Sequence, residues 1–152
     1  MSQTMITLLV VVLFLTVFPL MWLGITSLIM AISGWSGLSE RFPDRSDTVL
    51  RAFTWQSGAI GPHPMASANF RNVLTFEVCT KGLRITIMKL MAPFAKPVFV
   101  PWNRLSVQPK TFIIEYYDLL FGPEGRDGHI MVTKGLGRKL AEASGGRLVL
   151  PS

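Results

Sequence analysis

Residues 1–39 contain no Asp, Glu, Lys, Arg or His. All 15 Lys and Arg and all 9 Asp and Glu fall in residues 40–152. A chain divided in this way does not fold as a simple soluble globule or a disordered tail. Met5 to Ile32 are almost wholly apolar. A helix rises about 1.5 Å per residue, and a bilayer core of about 30 Å takes roughly 20 residues. The run therefore predicts a transmembrane helix over about residues 5–32, with a surplus that tilt or a kink absorbs. Pro19 sits near its middle, where the missing backbone donor can bend a helix. Thr16, Thr26 and Ser27 can return their hydroxyls to carbonyls one turn back.

Two other readings compete with a span. A cleaved signal peptide has a basic n-region and an apolar core of roughly 7–15 residues. Ala31-Ile32-Ser33 resembles a cleavage site, but no basic residue precedes Arg41 and the apolar run is far longer. A buried core helix would need more chain to cover a stretch that is apolar on every face. Lys and Arg near the ends of a span set its orientation. Arg41, Arg45 and Arg51 follow it and none precedes it. The expectation is a single-pass protein of the inner (plasma) membrane with its C-terminal part in the cytoplasm.

Residues 35–48 read as an interfacial helix or a linker. Trp35 suits a headgroup layer, and Leu38 and Phe42 can share one helical face. From Val49 the pattern shifts to short runs of period two, the mark of strands. Ala52–Gln56 is a first strand, and Ser57–Asn69, rich in Gly, Pro, Ser and Ala, reads as a loop. Phe70–Cys79 and Leu83–Ile87 form a hairpin across Thr80-Lys81-Gly82. Met91–Pro97 is a turn, Val98–Val100 a short strand, and Leu105–Val107 extended. A turn is expected at Pro109-Lys110, then a strand over Thr111–Phe121 rich in aromatic and β-branched residues. A glycine-rich loop, a short strand over His129–Val132 and a helix over Lys134–Ser144 complete the domain. Gly145-Gly146 ends that helix.

The fold class is thus α+β. An N-terminal transmembrane helix precedes a mainly antiparallel domain of about six or seven strands, closed by one C-terminal helix. The expected divisions are an anchor at 1–34, a connecting segment at 35–48, the β domain at 49–146 and a tail at 147–152.

The segments Lys81-Gly82-Leu83-Arg84-Ile85 and Val98-Phe99-Val100-Pro101-Trp102-Asn103-Arg104-Leu105, with the closing helix, carry a family likeness. They resemble the pleckstrin-homology-like superfold, including its GRAM-like and bacterial relatives. The whole chain is similar to uncharacterised bacterial membrane proteins that pair a single span with such a domain. The likeness covers most of residues 35–144 and rests on packing motifs, so it implies fold more than function. One departure is that Ser57–Asn69, on the side where a ligand loop is expected, contains no Lys or Arg.

Catalytic constellations are sparse. His63 and His129 lie in or beside loops and, with Cys79, lack the ligand spacing of a zinc site. Glu124, Asp127 and His129 do not match a calcium loop and read as a solvated turn. Cys79 could gain thiolate character beside Lys81, but no histidine is near it in sequence; a small strand residue is the simpler reading. As the only cysteine it forms no intramolecular disulfide. No nucleophile elbow or phosphate loop is present. The sequence therefore implies no enzyme, no cofactor and no metal.

Charge is more informative. The net charge of +6 belongs wholly to the domain. Lys81, Arg84, Lys89, Lys96 and Arg104 are the candidate binding residues, a basic surface along the hairpin and the strands after it. Lys134, Arg138 and Lys139 cluster at the closing helix. The expected partners are the membrane itself, its anionic lipids or a membrane protein. Dispersed charge without a recognised module argues against nucleic acid. Two rivals follow. One is an accessory subunit of a membrane complex, packed through Gly24, Thr26, Ser27 and Ala31 of the span. The other is an enzyme built on His63, Cys79 or His129.

Overall fold

A computed structural model describes residues 2–63, 66–93, 95–111 and 115–151. Helix α1 spans Gln3–Ser33 and runs through Pro19. Ser2 caps it, its Oγ accepting from the Met5 N–H at 3.2 Å. The hydroxyls of Thr16 and Thr26 donate to the carbonyls of Val12 and Trp22, one turn back. The segment Gln3–Ile32 is long and apolar enough to cross a membrane. Gly34, at φ +78°, ends α1 and begins α2, Trp35–Arg41. Only glycine takes up this left-handed geometry without steric cost.

The domain is a curled, seven-stranded antiparallel sheet. Its strands are β1 (Val49–His63), β2 (Ala66–Cys79), β3 (Gly82–Ile87), β4 (Val98–Pro101), β5 (Leu105–Thr111), β6 (Glu115–Phe121) and β7 (Gly128–Thr133). Their order is β4-β3-β2-β1-β7-β6-β5. The two edge strands, β4 and β5, are consecutive in the chain and joined by one short turn at Trp102–Arg104. A sheet whose edges are so joined must curl. Helix α3, Lys134–Ala143, closes it, burying Leu136 and Leu140. Gly137 is required there because a Cβ would collide with the Tyr117 ring. Helix α2 seals the side between the edges. The Phe42 carbonyl accepts from the Phe99 N–H at 3.0 Å, and its ring meets Phe121 edge-on at 6.0 Å.

Four expectations are corrected. The segment Ser57–Asn69 is not a loop. It is the continuation of β1 and the start of β2, paired Gly58↔Phe70 and Ile60↔Ala68; Pro64 and Met65 lie outside the described residues. The small residues serve packing rather than turning. A Cβ on Gly58 would press on Leu74 and Ile130 at 3.1 and 3.2 Å, and Ile60 is buried where β1 crosses to β7. That pairing is remote in sequence, so local composition does not announce it. Pro109-Lys110 is likewise strand, paired with Tyr117 and Tyr116. β5 is an edge strand, where a missing N–H can face outward. The expected strand Thr111–Phe121 is thereby divided: Thr111 ends β5, Glu115 starts β6, and Phe112–Ile114 lie outside the described residues. Finally, Trp35 is not an exposed interfacial side chain: it is buried in the core with Leu38 and Phe42.

Four register shifts bend the first hairpin, and two of them lie near its middle. Phe53 pairs with Phe76 and Gln56 with Leu74, so β1 takes three steps while β2 takes two. Next, β2 takes four steps from Leu74 to Phe70 while β1 takes two. The extra residues include Trp55 and Asn72, both at left-handed φ, +58° and +57°. Such bulges increase local twist and bend the strand.

Candidate functional site

The five cations singled out in the sequence do not form one patch. Arg84, on β3, is turned to the protein. Its guanidinium donates to Asp44 and Glu77 at 2.7 Å each and to the Arg45 carbonyl at 2.6 Å. Burial works against its charge, but the hydrogen bonds to Asp44 and Glu77 outweigh it and raise its pKa above the ordinary value. Arg104 stands 3.4 Å from Asp127. Lys81 is exposed at the β2–β3 turn, where its backbone N–H donates to Asp47 at 2.6 Å. That bond is the main reason the Asp47 carboxyl titrates below its ordinary range. Lys89 and Lys96 are exposed and, among the described residues, form no ion pair.

Lys89 and Lys96 share the β3–β4 turn, which is fastened to the helices by two indole hydrogen bonds. The Trp22 Nε1–H of α1 donates to the Leu90 carbonyl at 2.9 Å. The Trp35 Nε1–H of α2 donates to the Lys96 carbonyl at 2.8 Å. Lys81 and the Trp102–Arg104 turn stand at the other end of β3. At about 3.3 Å per residue, that is roughly 20–25 Å along the strand.

Helix α1 changes character at Trp22. Gln3 to Met21 are exposed throughout. From Trp22 onward one face, Trp22, Thr26 and Met30 at helical spacing, lies against the domain, with Thr26 and Met30 buried. The opposite face keeps Ile25, Leu28, Ile29 and Ile32 exposed. Of the small residues weighed for helix packing, Thr26 is thus covered by the domain, while Gly24, Ser27 and Ala31 remain exposed. Sequence reading left Trp22 inside the anchor and passed over Leu90 and Met91. Its available signals were a tryptophan about one membrane thickness into the run and two large apolar residues where turn residues are expected.

A cleft of about 630 Å³ opens between α1, α2 and this turn, lined by Ser27, Met30, Ser36, Ser39 and Lys96 among others. It is not cationic: Glu40 and Asp44 also line it, and Asp44 is paired with Arg84.

The candidate catalytic groups are placed apart. Cys79 is buried at the end of β2 opposite Val49, whereas His129 lies opposite Gly61, twelve residues further along β1. Burial pushes the Cys79 thiol up, away from a reactive thiolate. The buried His129 Nδ1 shares a hydrogen bond with Asp118 at 2.9 Å, and Lys110 lies 3.4 Å from the other carboxylate oxygen. Neither His129 nor Asp118 lines the cleft. Among the described residues no cluster of His, Cys, Asp and Glu can hold a metal ion. Comparison with models of protein families and with curated proteins yields no match.

Proposed function

We propose that this chain is a single-span membrane protein of the cell's inner membrane. In this reading its pleckstrin-homology-like domain faces the cytoplasm and docks to anionic lipid headgroups. The observation that carries the reading is the pair of indole-to-carbonyl bonds that hold a lysine-bearing turn against the end of the uncharged apolar α1 and the short α2 that follows it. The strand order and the closing α3 support the family likeness. A cytoplasmic leaflet attracts each nearby Lys or Arg with about 1 kcal/mol. The attraction fades over a Debye length of about 8 Å at physiological salt. Lys89 and Lys96 therefore carry the docking. Lys81 and Arg104, at the far end of β3, contribute less, and the Arg84 guanidinium is already engaged within the fold. The role is interaction rather than catalysis.

The test uses the full chain in vesicles and a water-soluble amine-acylating reagent, read by peptide mass spectrometry. Lys89 and Lys96 should be protected as anionic lipid increases and released as salt increases, with Lys81 as the internal reference. Protection that ignores both variables sinks the headgroup reading. Orientation has its own check: a phosphatase fused to the C-terminus should be inactive in a bacterial periplasm. A second reading, an accessory subunit packed through its span or a membrane-protein partner, draws on the exposed Gly24, Ser27 and Ala31. Isolation in mild detergent with mass spectrometry of co-purifying proteins separates it from the first.

A further inference from the structure

We propose that the β3–β4 turn is a second point of contact with the lipid. Leu90 and Met91 enter the interfacial layer of the leaflet from which α1 emerges, with Lys89 among the phosphates. This rests on the reading of α1 as a span.

Depth is the first argument. Gln3 to Trp22 is 20 residues of α1, about one hydrocarbon thickness at 1.5 Å per residue. Tryptophan is favoured at the edge of that layer, where its ring is apolar and its N–H needs a partner. Here the partner is the Leu90 carbonyl at 2.9 Å, so the turn stands at the level of Trp22.

Composition is the second. Leu90 is 72% exposed and Met91 38%. Adjacent large apolar side chains on an exposed turn gain nothing from water and gain from lipid. Lys89 beside them can extend its apolar stem along the acyl boundary and keep its ammonium at the headgroups.

The rest of α1 gives the third. Beyond Trp22 the helix keeps an exposed apolar face, Ile25, Leu28, Ile29 and Ile32, opposite the face that holds the domain. A helix standing upright would carry that face into water. With Trp22 at the hydrocarbon edge, a tilt lays this last part of α1 along the interfacial layer and seats the domain on its upper side, which brings the turn to the membrane surface.

The experiment uses the full chain with Cys79→Ala, reconstituted in phosphatidylethanolamine and phosphatidylglycerol vesicles. An environment-sensitive nitrobenzoxadiazole dye is placed at Leu90→Cys, Met91→Cys, Val10→Cys or Asn103→Cys, one at a time. Dyes at 90 and 91 should emit to the blue of the dye at 103, lose intensity with brominated acyl chains and resist aqueous iodide. If 90 and 91 are as open to iodide as 103 while 10 is quenched by bromolipid, the turn does not touch lipid and the anchor stands. If 10 itself is open to iodide, the anchor reading falls and this inference with it.

Discussion

Arg84 and Lys89 are cations five residues apart, one within β3 and one just past its end. Arg84 holds two carboxylates and a carbonyl and is largely covered. Lys89 is exposed and, among the described residues, unpaired. The difference follows side-chain chemistry. A planar guanidinium fork matches several fixed acceptors at once, whereas an ammonium on a flexible stem is easily left in solvent. The contrast extends to the two ends of the sheet. At the far end, Arg104 and the Lys81 backbone meet Asp127 and Asp47. At the near end, Lys89 and Lys96 flank exposed Leu90 and Met91 on a turn held by tryptophans. The far end commits the Arg104 side chain to a carboxylate and leaves the Lys81 ammonium exposed, whereas at the near end both ammoniums are left available.

The largest expected effect breaks the fastening itself. Trp35→Ala removes a buried indole and should cost about 3–5 kcal/mol, read by chemical denaturation of the detergent-solubilised chain. Trp35→Phe keeps most of the packing and loses the Lys96 bond, for about 1 kcal/mol. Equal losses would show that the hydrogen bond, not the packing, fixes α2.

Next comes the contrast between the cations. Arg84→Met leaves Asp44 and Glu77 facing each other without their donor and should cost about 2–3 kcal/mol. Lys89→Met should change stability by no more than about 0.5 kcal/mol. If the two cost the same, the near and far ends do not differ in the way described.

Acid probes two anchored carboxylates, Asp47 at the far end of β3 and Glu115 at the start of β6. The Asp47 carboxyl is held low chiefly by the Lys81 backbone N–H, and Glu115 by the hydrogen bond from Lys134. Each therefore stabilises the fold above its ordinary value, 3.8 and 4.5 respectively. That contribution is lost as the pH falls through the lowered folded value. The thermal midpoint should therefore begin to drop as the pH falls below about 5 and keep dropping until both carboxyls are protonated in the fold. Asp47→Asn with Glu115→Gln should flatten that drop, and an unchanged slope would remove both groups from the account.

The smallest effect is expected at Trp55, which is 66% exposed and sits at a left-handed φ. Trp55→Gly relieves the backbone cost but frees the unfolded chain, so stability should move by less than about 1 kcal/mol. A larger loss would mean that the indole supports the bend.

The outline of the fold was legible because its signals are local. The uncharged run, the alternation in Phe70–Ile87 and the Leu136–Leu140 spacing all survive in the structure. The second half of β1 was not legible, since Gly58, Ala59 and Gly61 read as loop residues until β7 lies beside them. Trp35 was misread for a related reason. A tryptophan after an apolar run looks interfacial, and only its partner at Lys96, 61 residues on, shows that the domain claims it. The candidate cations were legible as a list but not as a surface. Whether each faces solvent or a carboxylate depends on the linker residues Asp44 and Asp47, which fold back along β3.

Gly34 is a single residue between two helices, and the bonds at Trp22 and Trp35 clamp both of them to the same turn. A domain hung on a slack tether would sample every heading. Here a one-residue joint and two indole hydrogen bonds tie α1 and α2 to the sheet. Turning α1 about its own axis swings the lysines around it by the same angle. In the proposed reading of α1 as a span, a neighbour that grips the helix would thereby also set the heading of the domain.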